Sequence, residues 1–237
     1  MPRFRHIETE IDWRGYEGDE VVLTVCHRSP AMQGRNFTSI IEAISKKVSH
    51  VHIMMCDTLD RYNENMDAGI AKKKANIWMN TNLSELTQNG LSYDVTRWNE
   101  VMADPSFKDR YKTMLDLYKN NDFVKQTIHN VCSFYVQSKQ ERASKDGLPF
   151  NLEKIREDSS MYLVEEFAGC PIYREWFNMP EVYWGVYIFD TDIFNRYNTI
   201  NPSVDLTQPF VLPVSNNRLG EAIIGEHKVA YRPGSSN

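Results

Sequence analysis

Ser29 is followed by Pro30 and lies three residues past the end of an apolar run at 21–26 (VVLTVC). Proline fixes φ and carries no N–H, so it stiffens the turn and holds the serine hydroxyl in place. A serine presented this way can attack an activated carbonyl, although Ser-Pro is also the composition of an ordinary turn. Further along, Tyr162 and Glu166 stand four residues apart in a helical stretch (MYLVEEFAG). That spacing puts a phenol and a carboxylate on one helix face, where they can bind a substrate ammonium group and handle a proton. The same pair would also be ordinary on a solvated helix face. Glu165 is one step round the helix and points elsewhere, which makes it the natural control. His27 is too near Ser29 on a loop to serve as its base, and no G-x-S-x-G elbow supports an α/β-hydrolase.

The elements that must position these side chains follow from hydropathy. Residues 21–26 are continuously apolar rather than alternating, as in a central parallel strand covered on both faces. After the polar segment HRSPAMQGRN, residues 37–48 predict a helix with Ile40, Ile41 and Ile44 on one side, and 51–56 (VHIMMC) predict a second buried strand. Strand, loop, helix and strand within about 40 residues form a βαβ unit with a right-handed crossover. The middle of the chain predicts helices over 59–82, 93–103, 106–139 and 152–168, with Ser106 and Asp109 as a capping box. Residues 182–189 (VYWGVYIF) predict a third strand and 210–213 a fourth. The expected fold class is α/β: a doubly wound, mostly parallel sheet with helices on both faces and a helical elaboration, in one domain over 1–237. Ligands in such folds bind beyond the carboxyl ends of the strands, which points at the segment holding Ser29.

Composition narrows the function classes. With 41% hydrophobic and 12% aromatic residues, the chain can bury a substantial core, which excludes a disordered or fibrous protein. Its formal net charge of -5 means that any nucleic acid must be met by a local basic patch. Residues 106–130 predict such a face: Lys108, Lys112 and Lys119 fall within roughly 40° of one another at the helical period. Lys72, Lys73 and Lys74 form a second basic cluster. Cys26, Cys56, Cys132 and Cys170 make no CxxC and lie near no histidine at zinc-ligand spacing, so free thiols in a reducing cytosol are expected, with no metal. The N-terminal residues lack an apolar signal core and no run of about 18 apolar residues occurs, so a cytoplasmic location is expected.

Ser29-Pro30 directly after an apolar strand, the Tyr162-x-x-x-Glu166 helix and Tyr187 on a late strand resemble the cyclodipeptide synthases in order and spacing, over about 21–194. That resemblance implies a Rossmann-like fold similar to the catalytic domain of the class I tyrosyl- and tryptophanyl-tRNA synthetases. The HIGH and KMSKS signatures of those synthetases are absent from the sequence. It also implies an activity: two aminoacyl-tRNAs joined into a diketopiperazine through aminoacyl- and dipeptidyl-Ser29 intermediates. The esters arrive activated, so no cofactor is implied. By the same resemblance Tyr162 and Glu166 hold the amino group of the first residue, Tyr187 assists ring closure, and Asp190 is an acidic position of the site. Val25, His27, Met32, Ile53 and Met55 would line the first side-chain pocket or flank it, and Lys108, Lys112 and Lys119 would bind tRNA. The family favours a monomer.

Two positions divide the family. Met32, three residues after the serine, fits the branch lacking Asn there, whereas Ile188 after Tyr187 fits neither branch, and Tyr183 is the alternative late tyrosine. The competing readings are a non-catalytic protein of synthetase-like fold that binds aminoacyl-tRNA, and a nucleotide-binding α/β protein. The latter is weakened by the lack of a GxGxxG or P-loop after Cys26.

Overall fold

The structure, a computed structural model, describes residues 9–11, 13, 16–29, 32–183, 211–212 and 214–216. In chain order, β1 (Thr9–Ile11) and β2 (Glu20–Val25) precede α1 (Gly34–Ser45), β3 (His50–Met55), α2 (Asp60–Asn63), α3 (Ala68–Asn82) and α4 (Ser84–Gln88). Then come β4 (Ser92–Arg97), α5 (Trp98–Ala103), α6 (Phe107–Asn120), α7 (Asp122–Asp146) and α8 (Leu152–Phe177). The chain closes with β5 (Glu181–Tyr183), β6 (Val211–Leu212) and β7 (Val214–Asn216).

β2 is buried at every position after Glu20, as its continuous hydrophobicity requires. It occupies the middle of a five-stranded sheet in the order β4-β3-β2-β5-β6, with each neighbouring pair parallel. β1 and β7 form a separate antiparallel pair. In the large sheet the strand order reverses at β2, which leaves a crevice between the carboxyl ends of β2 and β5. Period-two alternation then sorts side chains to the two faces. Val21, Leu23, Val25, Val51, Ile53 and Met55 join a core with Phe37, Ile40, Ile41 and Ile44 of α1. Val22, Met54 and Cys56 join the opposite core, built on α6, α7 and α8. Each fully buried aliphatic or aromatic side chain contributes about 1.5–3 kcal/mol, so both faces hold the sheet firmly.

The α/β class, the parallel sheet and the buried strands agree with expectation, and four local readings are corrected. Residues 92–97 are strand β4 rather than the start of a helix, because Tyr93 and Val95 alternate with polar residues on an edge strand. The expected helix 59–82 is split, with Asn65 at φ +47° between α2 and α3. The expected helix 106–139 breaks at Asn121, whose extended backbone ends α6 and whose side chain caps α7 by accepting from Val124 N. Ser106 makes no capping box; its hydroxyl donates to Asp104 Oδ1 at 2.6 Å. At the start of α5 the Arg97 backbone N–H donates to Glu100 Oε1 at 3.0 Å. The late strand is described over Glu181–Tyr183, and the rest of 182–189 lies outside the described residues.

Candidate functional site

β2 ends at Val25, and the next four residues form a tight turn in which Ser29 N–H donates to the Cys26 carbonyl at 2.8 Å. The Ser29 carbonyl accepts from Met32 N–H at 2.9 Å, which carries the chain towards α1. Gly34 opens α1 at φ +49°, a conformation that glycine adopts without steric cost. The turn is tied on all sides. The Gln33 side-chain amide donates to the His27 carbonyl, Trp78 Nε1 donates to the Met32 carbonyl at 2.6 Å, and Arg28 pairs with Glu64 at 3.0 Å. Ser29 is half-buried between His27 and Met32, both buried, at the carboxyl end of β2 and on the crevice where the strand order reverses.

α8 reaches the same place from the other side of the sheet. The Tyr162 hydroxyl lies 3.4 Å from Cys26 Sγ, so the helix touches the residue whose carbonyl holds the Ser29 turn. All four cysteines are free thiols, as expected, but Cys26 is half-buried rather than a core residue. Cys56 directly follows the neighbouring strand β3, and Cys26 together with burial pushes its thiol well up. One turn after Tyr162, Glu166 is buried; burial first, then the negative charge of Glu181, raises its pKa from 4.5 to about 8, against the opposing effect of Arg174. Glu181 itself is fixed on β5. Tyr173 Oη donates to its Oε1 at 2.9 Å, Thr24 donates to the same oxygen, and Arg174 donates to Oε2 at 2.8 and 3.0 Å. Burial beside a clamped carboxylate thus shifts Glu166 towards its neutral form while keeping it able to exchange a proton near neutral pH.

Glu165 is not the inert control its position on the helix suggested. Its carboxylate, only 2% exposed, accepts from Arg61, from Tyr62 Oη at 2.9 Å and from Trp98 Nε1 at 2.8 Å. Trp98 can lie against α8 because residue 169 is glycine: a Cβ there would sit 2.5 Å from the indole. The sequence signal for this anchor is split among Arg61, Trp98 and Glu165, which makes it invisible to any local pattern.

The other predicted residues divide by face. Val25, Met32, Ile53 and Met55 are at most 1% exposed and belong to the core on the α1 side, whereas Tyr162 packs with Cys26 and Cys56 on the α8 side. His27 is buried with Nδ1 3.3 Å from Asp60 Oδ2, yet neither ring nitrogen has a hydrogen-bond partner among the described residues. Burial lowers His27 to about 4 and raises Asp60 to about 7, favouring the uncharged form of each. Tyr187 and Asp190 lie outside the described residues, and Tyr183 closes β5 beside Thr24 of β2. Lys108, Lys112 and Lys119 are all exposed on α6, whose buried side is Phe107, Met114 and Tyr118. None of the three forms an ion pair among the described residues. A groove of about 290 Å³ lined by Asn63, Glu64, Lys139, Lys154 and Asp158 includes none of the predicted site residues. Among the described residues no helix is long and apolar enough to cross a membrane.

A Rossmann-type parallel sheet with a serine turn at its switch point and a long helix bearing tyrosine and glutamate over that turn defines the class of this fold. No protein-family model matches the chain, and comparison with curated proteins finds no match. Among solved structures it is similar to a cyclodipeptide synthase from Fluoribacter dumoffii, at 15% identity and a TM-score of 0.70 over 90% of this chain and 100% of that one. It is also similar to the cyclodipeptide synthase of Candidatus Glomeribacter gigasporarum, solved bound to Phe-tRNAPhe, at 15% identity and a TM-score of 0.58 over 92% and 89%. A third is a Mycobacterium tuberculosis protein, described as demonstrating that cyclodipeptide synthetases are related to type I tRNA synthetases, at 12% identity and 0.53 over 85% and 87%. The chain has the cyclodipeptide synthase fold.

Proposed function

We propose that this protein is a cyclodipeptide synthase that acts on two aminoacyl-tRNAs through Ser29. The observation that carries the reading is the meeting of the Ser29 turn and Tyr162 at Cys26, at the switch point of a fold shared with cyclodipeptide synthases. Ser29 Oγ attacks the ester carbonyl of the first aminoacyl-tRNA. The tRNA hydroxyl leaves with the proton, and an aminoacyl ester remains on Ser29. The amine of that ester attacks the second aminoacyl-tRNA, releasing the second tRNA and leaving a dipeptidyl ester. The terminal amine of the dipeptide then attacks the Ser29 ester, the ring closes, and Ser29 Oγ recovers its proton.

Each attacking amine must first lose a proton. An α-amino group has a pKa of about 7.7–8.0, and Glu166 is raised to about 8, so a proton passes between them with little free-energy difference. Tyr162 would orient the amine from the neighbouring turn of α8, and Tyr187, with Tyr183 as the alternative, would assist ring closure beside Asp190. His27, two residues before the nucleophile and paired with Asp60 without a hydrogen bond, supports a polar end to the pocket formed with Val25, Met32, Ile53 and Met55. The exposed lysines of α6 would meet the tRNA backbone. The chain would work as a cytoplasmic monomer.

The test is mass spectrometry of culture medium from bacteria expressing the protein, with the Ser29→Ala form beside it. Diketopiperazines that require Ser29 support the reading, and their masses identify the joined amino acids. A folded protein that yields none, in cells and with purified charged tRNAs, leaves a non-catalytic tRNA-binding protein in its place.

A further inference from the structure

At the opposite end of the sheet, the amino-terminal halves of two adjacent strands, β3 and β4, bring His50, His52 and Asp94 together, with one ligand atom of each within 4.8 Å of the others. His50 and His52 are alternate residues of β3, so both rings stand on one face, and the register places Asp94 of β4 beside His52. Asp94 Oδ2 is 3.2 Å from His50 Nε2 and 2.8 Å from His52 Nδ1. Bonds of about 2.0–2.1 Å to a tetrahedral zinc-type ion put neighbouring ligand atoms roughly 3.3–3.4 Å apart, close to the His50–Asp94 separation and somewhat wider than the His52–Asp94 one.

The outward nitrogens explain why the rings face this way. Ser92 Oγ donates to the Ser49 carbonyl at 3.1 Å, so it accepts from His50 Nδ1 at 2.8 Å. The Glu20 carboxylate of β2 accepts from His52 Nε2 at 3.2 Å. In the tautomer that places each ring's N–H on its outer partner, the inward nitrogen offers a lone pair beside Asp94 that a cation can take. Carboxylate and hydroxyl partners on the far ring nitrogens are also the usual way ligand histidines are oriented and made more basic. Phe177, at the end of α8, covers His52 with ring centroids 4.9 Å apart, while the carboxylate side stays open to solvent.

We infer that His50, His52 and Asp94 form a binding site for a zinc-class divalent cation, oriented by Glu20 and Ser92, that clamps the amino ends of β2, β3 and β4. Imidazole nitrogens select zinc, cobalt, nickel or copper over calcium and magnesium. The site is remote from Ser29 and does not depend on the acyl-transfer reading. Its fourth position belongs to water.

The experiment titrates tag-free protein with Co²⁺, followed by visible absorption, and displaces it with Zn²⁺. The expected result is saturation at one equivalent per chain, bands of a four-coordinate ion, and a melting temperature that rises with metal concentration. Glu20→Gln, which keeps all three ligands, should weaken binding roughly 10- to 100-fold. The His50→Ala/His52→Ala double variant, checked for folding by circular dichroism, should lose the bands. Absence of saturable binding by the unaltered protein would overturn the site and leave ordinary histidine–carboxylate hydrogen bonds in its place. Undiminished binding by the double variant would overturn it equally.

Discussion

The hydroxyl of Tyr162 lies 3.4 Å from Cys26 Sγ, and the carbonyl of that same cysteine accepts the N–H of Ser29. One side chain from the middle of α8 is thereby set against the turn that presents the nucleophile. Tyr162→Phe keeps the ring and its packing but removes the group proposed to hold the substrate amine. One hydrogen bond to a charged partner is worth about 1.5–3 kcal/mol, so turnover should fall roughly 10- to 150-fold while the melting temperature changes little. Steady-state kinetics with charged tRNAs and a thermal melt check both halves. A loss of stability with unchanged turnover would make Tyr162 a packing residue.

Glu166 gives the fold a pH signature. Its pKa is raised from 4.5 to about 8, so between those values the folded state holds a proton that the unfolded state has released. Stability contributed by this group therefore falls as pH rises through that window, by at most about 1.4 kcal/mol per unit, and levels off above it. Glu166→Gln resembles the protonated form and does not titrate. The variant should match the parent near pH 4.5 and become progressively more stable than it towards pH 8, as read by denaturant unfolding across pH. The same variant should lose most of its turnover, because an amide cannot take the proton of the attacking amine.

The adjacent carboxylate behaves differently. Glu165 is buried among Arg61, Tyr62 and Trp98, and its removal leaves a guanidinium without its partner. Breaking a buried pair in this way costs about 3–5 kcal/mol. Urea unfolding of Glu165→Ala should show a loss of that order.

Exposed Lys108, Lys112 and Lys119 on α6 make a prediction about tRNA. If each neutralises one phosphate, replacing all three with glutamine should reduce the slope of log affinity against log salt by roughly 2–3. Filter binding of charged tRNA at several salt concentrations measures it. The Lys72, Lys73 and Lys74 cluster on α3 is the comparison, and a larger change there would move the tRNA surface.

Much of this arrangement is legible in the chain because it is local. The apolar runs of β2 and β3 announce a parallel core, and the polar segment between them announces the crevice. Tyr162 and Glu166 are one helical turn apart, so their shared face is a matter of spacing. What escapes the sequence is what the sheet assembles from distant pieces. β4 has too little hydrophobicity to announce itself, because an edge strand buries little. Glu165 reads as surface until Arg61 and Trp98 arrive from elsewhere. His50 and Asp94 are likewise distant, and a pair of histidines two apart on a strand escapes spacing rules built around cysteine. The Glu181 clamp is hidden for the same reason, since Thr24, Tyr173 and Arg174 come from two other elements.

The most direct test of the central claim is the intact mass of the protein after brief incubation with one charged tRNA species. We expect a fraction of the protein to gain the mass of one aminoacyl group, the adduct to map to Ser29, and the Ser29→Ala form to gain nothing. An adduct on another residue, or none on folded protein that still binds the tRNA, would contradict covalent catalysis by Ser29.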